Sequence, residues 1–400
     1  MQKKFGIFIV VIAIVGVVLS LAGTALVSKA TSEPTARKIV VFKAGVSNEL
    51  ARDALVKKFG GVKVKDLNLI DGKAVLLSSK AAAALANRPE VLRVDDDVEV
   101  FALAKPVQVG AKKPLPAQVL PWGIDRVDAE LVWPSGNVAD PIKVGIIDTG
   151  IDISHPDLKD NLKGGVNTIN AWKSWNDDNG HGTHVAGIVA AINNTIGVVG
   201  AAPAADLYAV KVLDRNGSGY LSDVIEGLDW AIKNKMQVVN MSLGTSADIQ
   251  SFREAVQRVN AAGIVQVAAA GNSAGAVIYP AVYPQVIAVS ATDNTNTLAS
   301  WSSRGPEVDL SAPGVSIYST YKGSTYATLS GTSMASPHVA GAAALVMNTP
   351  VGVYDVDSDG VWDPSEIQNK LQDQATDLGA TGFDNLYGWG LLNAYQAVQP

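Results

Sequence analysis

The chain of 400 residues is 48% hydrophobic, which is enough to bury a large core, and its length suggests about two or three domains. Its formal net charge of −6 is spread without long charged runs, which argues against nucleic acid as a partner. It contains no cysteine, so an exported form would need cross-links other than disulfides, and bound cations are the obvious candidates.

The first 30 residues have the pattern of an export signal. Lys3 and Lys4 precede an apolar run over 5–22, and the small residues Ser28 and Ala30 follow in a cleavage-site arrangement. The pattern predicts a signal peptide over 1–30 and an extracellular protein. The apolar run of about 18 residues would also serve as a membrane anchor, so both interpretations stay open.

Residues 31–103 are expected to form a small α+β domain of the ferredoxin-like type. The order of patterns is strand 38–42, helix 47–59, strands 62–69 and 74–77, helix 79–86 and strand 91–94. A unit of roughly 65 residues is marginal on its own, so we expect it to lean on a neighbour.

Asp95, Asp96 and Asp97 close this domain with an acidic cluster. Such carboxylates either cap helix N-termini of the neighbour or are simply solvated. Residues 104–116 follow, with the pairs Lys105-Pro106 and Lys113-Pro114 and little periodicity, which predicts an extended linker or N-terminal extension.

Residues 117–400 alternate between apolar strand patterns and helical patterns. The strands are predicted at 144–147, 207–210, 238–241, 264–268 and 286–289, and the helices between them at 184–192, 221–234 and 249–262. The alternation predicts an α/β fold, with a mainly parallel sheet and helices on both faces. In such a sheet reactive groups gather at the carboxyl ends of the strands.

Four polar residues occupy such positions. Asp148 and Asn272 follow predicted strands, His181 lies in a glycine-rich opening over 179–187, and Ser333 lies in the first turn of an apolar helix that ends at Met347. Free N–H groups point outward at a helix start. Together they could provide an orienting acid, a base, a nucleophile and an oxyanion donor for acyl transfer.

The other histidines fit this chemistry less well. His338 comes five positions after Ser333, roughly 140° around the helix, so it points away from the hydroxyl. His184, three positions after His181, is expected to be a packed structural residue, because no cysteine or fitting carboxylate completes a zinc set.

Three motifs occur in a diagnostic order: Asp-Thr-Gly at 148–150, His-Gly-Thr-His at 181–184 and Gly-Thr-Ser-Met-Ala at 331–335. With them the chain resembles the subtilisin-family serine endoproteases. The resemblance implies a broad-specificity peptidase that works through an acyl-enzyme. The rival reading is a non-catalytic, calcium-dependent binding protein on the same frame.

The resemblance also implies the role of each site residue. Ser333 would attack the scissile carbonyl, His181 would take and return its proton, and Asp148 would orient the imidazole. The Asn272 side chain and the Ser333 backbone N–H would bind the oxyanion.

Further residues are implied to bind an extended peptide. The flanking segments are Gly217-Ser218-Gly219 and Ser242-Leu243-Gly244, and one wall of the pocket for the residue before the cut is Ala269, Ala270 and Gly271. Ile278 stands where the family usually has glycine, which leaves the depth of that pocket open.

By the same resemblance, residues 31–103 are a propeptide that acts as chaperone and intramolecular inhibitor. The alignment places self-cleavage after Leu103, so that 100–103 is the first substrate and an apolar residue is preferred before the cut. A cut near Ala117 is the alternative. The expected partners are polypeptide substrates and the enzyme's own propeptide, and we expect a monomer.

Two calcium sites are expected. Residues 355–366 fit the twelve-residue calcium loop, which indicates a structural clamp, with a solvated acidic turn as the alternative. Its ligands would be Asp355, Asp357, Asp359, the Val361 carbonyl, Asp363 through water, and Glu366. The second site rests on resemblance to the family's tight calcium site, with Gln118, Asp157, Asn194 and the carbonyls of Ile192, Ile196 and Val198.

Overall fold

The computed structural model describes residues 34–46, 48–104 and 115–400. The predicted signal peptide or anchor and nearly all of the predicted linker therefore lie outside the described residues. Within these three stretches no helix combines the length and apolar character needed to cross a bilayer.

The described chain begins with a small domain, residues 35–103. Its elements are β1 Thr35–Phe42, α1 Glu49–Lys58, β2 Val62–Leu67, β3 Gly72–Ser78, α2 Ser79–Ala86, β4 Val91–Asp96 and β5 Glu99–Ala102. The first four strands form an antiparallel sheet in the order β2-β3-β1-β4. With two helices between them, this is the predicted ferredoxin-like arrangement.

Strand β1 shows why this sheet is buried on both faces. Its side chains alternate, so Val40 and Phe42 pack with the small domain's own helices, whereas Ile39 and Val41 join a hydrophobic cluster that belongs mainly to the rest of the chain. The small domain therefore uses its neighbour to cover half of its sheet.

The remaining residues form a larger α/β body. Its strands are β6 Lys143–Asp148, β7 Leu162–Asn167, β8 Asp206–Lys211, β9 Ser218–Tyr220, β10 Val238–Met241, β11 Leu243–Gly244, β12 Val265–Ala269, β13 Ile287–Thr292, β14 Leu310–Pro313, β15 Ile317–Tyr321 and β16 Thr325–Leu329. Its helices are α3 Trp122–Arg126, α4 His181–Ala190, α5 Leu221–Lys233, α6 Gln250–Ala261, α7 Thr332–Met347, α8 Pro364–Asp373 and α9 Ala394–Ala397.

Seven of these strands form the central sheet, in the order β14-β13-β12-β10-β6-β8-β7, and all neighbours are parallel. The predicted α/β architecture is confirmed. After β6 the chain builds β7 and β8 on one side of it, and β10 then begins the other side. The carboxyl ends of β6 and β10 therefore border the switch point where ligands bind in such sheets.

Helix α7 runs through the core although it contains Pro337. Proline has no N–H, so the carbonyl of Ser333, four residues earlier, loses its helical partner. The Ser242 hydroxyl donates to that carbonyl instead, at 2.9 Å. The helix therefore continues with its buried backbone satisfied.

The acidic cluster joins the small domain to two helices of the larger body. Asp97 accepts from the N–H and hydroxyl of Ser222 at the start of α5, at 2.8 and 2.9 Å, and Asp95 accepts from those of Ser251 at the start of α6, at 3.1 and 2.6 Å. Asp96, between them, is exposed and pairs with Lys38. Capping is thus the role of the outer two aspartates, and only Asp96 is a solvated charge.

We predict that Asp97→Ala lowers the free energy of unfolding of the intact chain by about 1 to 2 kcal/mol, because it removes a helix cap and leaves Arg37 unpaired. Asp96→Ala is the matched control and should change it by less than about 0.5 kcal/mol. Denaturant titration of both variants measures the difference; equal losses would contradict the capping role.

Candidate active site

Asp148 and His181 form a buried pair. Asp148 is the last residue of β6, and both its oxygens lie close to Nδ1 of His181, at 2.8 and 2.9 Å. Because a carboxylate only accepts, Nδ1 carries the proton and Nε2 is left as an acceptor. His181 begins α4, three residues earlier than the predicted helix start.

A glycine allows the helix to approach the strand so closely. A Cβ at position 182 would lie 2.2 Å from the Gly150 carbonyl oxygen and 3.1 Å from Asp148. Only glycine therefore permits this contact between the first turn of α4 and the end of β6.

Ser333 is the second residue of α7, and α7 packs against α4. Its hydroxyl donates to the Ser242 carbonyl at 3.2 Å. Nε2 of His181 is buried and has no hydrogen-bond partner in the part of the chain that the structure describes. The structure thus pairs Asp148 with His181. It places Ser333 on the adjacent helix, and in the described residues the Ser333 hydroxyl bonds to Ser242 and not to the His181 ring.

Asn272 faces the end of the small domain. Its side-chain N–H donates to the carbonyl oxygen of Leu103. The N–H and hydroxyl of Thr332 hold the other end of the amide by donating to Oδ1 at 2.9 and 2.8 Å. Sequence reasoning did not single out Thr332, although it lies inside the Gly-Thr-Ser-Met-Ala motif, directly before Ser333.

Strand β5 lies between β9 and β11 and pairs antiparallel with both. Its pairs with the two flanking segments are Val100 with Gly219, Phe101 with Ser218 and Gly244, and Ala102 with Leu243. The pairing continues beyond the strand, because Ala102 N–H donates to the Gly217 carbonyl at 2.9 Å and Leu103 N–H to that of Ser242 at 3.3 Å. The tail thus lies between the two predicted peptide-binding segments.

The predicted side-chain pocket lies next to this tail and is partly filled. A Cβ at Gly244 would lie 2.6 Å from Cδ1 of Ile278, and one at Gly271 would lie 3.4 Å from its Cγ1. Ala269 and Ala270 are both buried beside Gly271. The isoleucine therefore lies between the two glycine-bearing segments, at the predicted pocket.

The other histidines are bound to backbone carbonyls. Nε2 of His184 lies 3.1 Å from those of Ile317 and Ala327, and Nδ1 of His338 donates to Met334 at 2.8 Å. Burial lowers the pKa of His184 to about 3 and that of His338 to about 4. Both are therefore neutral packing residues, as predicted for His184.

The predicted tight calcium set is brought together around a buried carboxylate. Asp157 is fully buried and accepts from Asn194 Nδ2 at 2.7 Å, Val198 N–H at 2.9 Å and Tyr326 Oη at 3.2 Å. Gln118 accepts from the Asn194 N–H at 2.5 Å. All these partners are neutral, and burial raises the pKa of Asp157. Asp157, Gln118 and Asn194 all offer side-chain oxygens, which are the ligand atoms that calcium takes, so these residues fit that cation.

The remaining three predicted contributors to that set are backbone carbonyls on the same loop, which the Asp157 carbonyl holds through a 3.0 Å bond from the Ile192 N–H. Asn194 Oδ1 accepts from the Ile196 N–H at 2.7 Å. The Asn194 side chain thus bonds both to the backbone of its own loop and to Asp157.

In the acidic loop, ligand oxygens of Asp355, Asp357 and Asp359 all lie within 4.8 Å of one another. Gly360 supplies the turn with a φ of 76°. Glu366 is occupied otherwise, because its oxygens accept the N–H groups of Val356 and Asp363 at 2.8 and 2.9 Å. Three predicted ligands therefore converge, while the last one caps α8.

Asp363, the predicted water-bridged ligand, begins α8 as its N-cap. Burial and the charges of Asp357, Glu366 and Asp359 raise its pKa. The seventh position of the loop is Val361, whose N–H donates to Asp359 Oδ1 at 2.7 Å. Repulsion among carboxylates is what a divalent cation would relieve.

Comparison with known proteins agrees with this architecture. The subtilase family model matches residues 139–390. Alkaline protease of Shouchella clausii is 45% identical over 327 residues, 82% of this chain and 79% of the relative. Subtilisin Savinase of Lederbergia lenta is 49% identical over 284 residues, 71% of this chain and all of the relative. Subtilisin E of Bacillus subtilis is 41% identical over 370 residues, 90% of each chain.

The identity extends over most of the chain, and the subtilase match covers the strands and helices that carry Asp148, His181, Asn272 and Ser333. The family prediction made from three short motifs is confirmed by these long alignments. The chain belongs to the subtilase family and is a serine endopeptidase.

Proposed function

We propose that this endopeptidase is made as an exported precursor, cuts itself after Leu103 and depends on calcium for stability. The bond from the Asn272 amide to the Leu103 carbonyl carries the proposal. A carbonyl held by a side-chain donor, at the end of a strand that the enzyme pairs on both sides, is presented as a substrate.

The residues take the roles known for subtilisins. Ser333 Oγ attacks the carbonyl carbon of Leu103 and passes its proton to Nε2 of His181, whose other nitrogen donates to Asp148. The Asn272 amide and the Ser333 N–H stabilise the charge on the carbonyl oxygen. The imidazolium protonates the leaving amine of Ala104, and water then releases the acyl group from Ser333.

The small domain acts as the inhibitor of the enzyme in this proposal. Its tail fills the peptide-binding strand position, and the caps made by Asp95 and Asp97 hold it at α5 and α6. The export step rests on the sequence pattern of residues 1–30, with a signal peptide that is removed and an extracellular product.

We predict that Ser333→Ala accumulates as the uncut precursor, because the nucleophile is lost while the fold is kept. The wild-type chain should convert to a form that begins at Ala104, as N-terminal sequencing of the purified protein will show. Ser330→Ala is the control, since this nearby hydroxyl accepts from the Ser316 N–H and has no proposed catalytic role, and it should be processed normally. Continued conversion of Ser333→Ala would refute self-processing by this serine.

Substrate preference follows from the alternation of β5. Val100 is fully buried in the cluster that contains Leu213, Leu221 and Leu243, whereas Phe101 is 45% exposed. The fourth residue before the cut should therefore be selected for apolar character, and an apolar last residue is expected because Leu103 itself precedes the cut. The third residue should be selected little, because its side chain faces solvent.

We predict that Ile278→Gly raises kcat/KM for phenylalanine over leucine before the cut by about tenfold, because removing the side chain deepens the pocket. Peptides that differ only at this residue measure the ratio. Val353→Gly, on the exposed surface, is the control and should leave the ratio unchanged. The pocket assignment fails if leucine and phenylalanine keep their wild-type ratio in Ile278→Gly.

Calcium binding is proposed at both acidic sites. The fully buried Asp157 and the converging carboxylates of Asp355, Asp357 and Asp359 support it. Bound calcium would neutralise these charges and cross-link chain segments, a stabilising role suited to a protein without disulfides.

We predict that chelation lowers the melting temperature of the Ser333→Ala precursor by about 5 °C or more, since ligand binding stabilises only the folded state. Asp357→Asn should remove one binding event in a calorimetric Ca²⁺ titration, whereas Asp160→Asn, at an exposed aspartate, should keep both. An unchanged melting curve with calcium removal verified by metal analysis would disprove this role.

A further inference from the structure

Asp177 is a buried carboxylate that the mechanism above does not use. It is 4% exposed and lies four residues before His181, in the loop that leads into α4. A buried carboxylate must be compensated by hydrogen-bond donors or by a cation.

Five hydrogen bonds converge on this carboxylate. Oδ1 accepts from the Thr149 hydroxyl at 3.0 Å and from the N–H groups of Asn179 and Gly180 at 2.9 and 2.8 Å. Oδ2 accepts from the N–H and hydroxyl of Thr183 at 3.0 and 2.6 Å. All five donors are neutral, and burial outweighs them to raise the pKa of Asp177.

The donors come from the two elements that carry the acid and the base. Thr149 directly follows Asp148, and its hydroxyl also accepts from the Gly182 N–H at 2.9 Å. Gly180 and Thr183 lie on either side of His181 at the start of α4. Asp177 and Thr149 together therefore tie the end of β6 to the first turn of α4.

Asn179 connects this network both to His181 and to the loop before the predicted peptide-binding segment 217–219. Its Oδ1 accepts from the His181 N–H at 3.0 Å, and its Nδ2 donates to the Arg215 carbonyl, also at 3.0 Å. Arg215 lies two residues before Gly217, whose carbonyl binds the tail. One buried charge thus organises the backbone around the base and the adjoining peptide-binding loop.

We propose that Asp177 is a positioning residue that holds His181 against Asp148 in the geometry needed for proton transfer. This inference rests on the proposed catalytic roles of those two residues. A shift of about 1 Å at a reacting group can cost about a hundredfold in rate, and the small space at Gly182 shows how little slack this contact has.

Processed Asp177→Asn enzyme, quantified by titration with a serine-directed covalent inhibitor, tests the inference. An asparagine amide opposes N–H donors with its own N–H groups, so kcat per active site should fall by about tenfold to a hundredfold, with KM within about threefold. The downfield proton resonance of the His181 Nδ1–H should shift or vanish. Asp152→Asn, a buried carboxylate bonded to Ser154 and Ser324 instead, should keep kcat within about twofold.

A second pair of variants serves if Asp177→Asn does not fold. Thr149→Val removes the hydroxyl that bridges Asp177 and Gly182 at nearly constant shape, and kcat should fall by at least about threefold. Thr149→Ser keeps that hydroxyl and should recover most of the rate. Wild-type kcat in Thr149→Val or in folded Asp177→Asn would overturn the inference, as would an equal loss in Asp152→Asn. Processing by Ser333→Ala would instead overturn the catalytic assignment itself.

Discussion

The pairing of strand β5 with β9 and β11 is the constraint on which the rest of the site depends. Backbone bonds on both sides fix its register, so Val100 points into the core and the Leu103 carbonyl meets Asn272. A slip of one residue would turn every side chain to the opposite face and would bring a different carbonyl to the amide.

The same alternation of side chains anchors the chain just before β5. Asp95 and Asp97 are two positions apart in extended chain, so they face the same side and reach the starts of α6 and α5. Asp96 faces away and remains in solvent. The register of the tail is therefore set twice, by a ladder beside the proposed cleavage site and by two helix caps before it.

Much of this architecture was predictable from local pattern. Strands such as β6 contain a continuous apolar run, here over 144–147, and the helix that carries Ser333 has an unmistakable apolar body. Strands β7 and β14 were not predicted, because Gly164 and Gly165 interrupt one and serine and proline the other. Strand β7 forms through packing with its neighbour instead, since position 165 lies directly against the Ala209 backbone.

Sequence motifs named the residues of the proposed site but not their arrangement. Asp148, His181, Asn272 and Ser333 follow from motifs, whereas Thr332 bonds to Asn272, 60 positions away, and one of the bonds to Asp177 comes from Thr149, 28 positions away. The role of the acidic cluster likewise depended on serines 125 and 156 positions along the chain. Such partners are decided by the fold, and no local pattern shows them.

Four buried aspartates illustrate how the fold handles charge. Asp97 is paired with a guanidinium and Asp148 with an imidazole, whereas Asp177 relies on backbone and hydroxyl dipoles. Asp157 also accepts from neutral donors, but it lies beside the side-chain oxygens of Gln118 and Asn194, and a cation is proposed there. Asp148 is paired with an imidazole, a group that can gain and lose a proton. Asp177 is instead held by backbone and hydroxyl donors, whose charge does not change.

The caps at α5 and α6 lie apart from the bond between Leu103 and Ala104. If that bond is hydrolysed as proposed, none of the contacts made by Asp95 and Asp97 is broken, and the severed domain remains in place as a blocked product. Proteolytic activity would then begin after a lag, whose length depends on how slowly the severed domain dissociates. The first active enzyme molecules would digest the severed domains bound to other enzyme molecules. The lag would therefore shorten as the enzyme concentration rises.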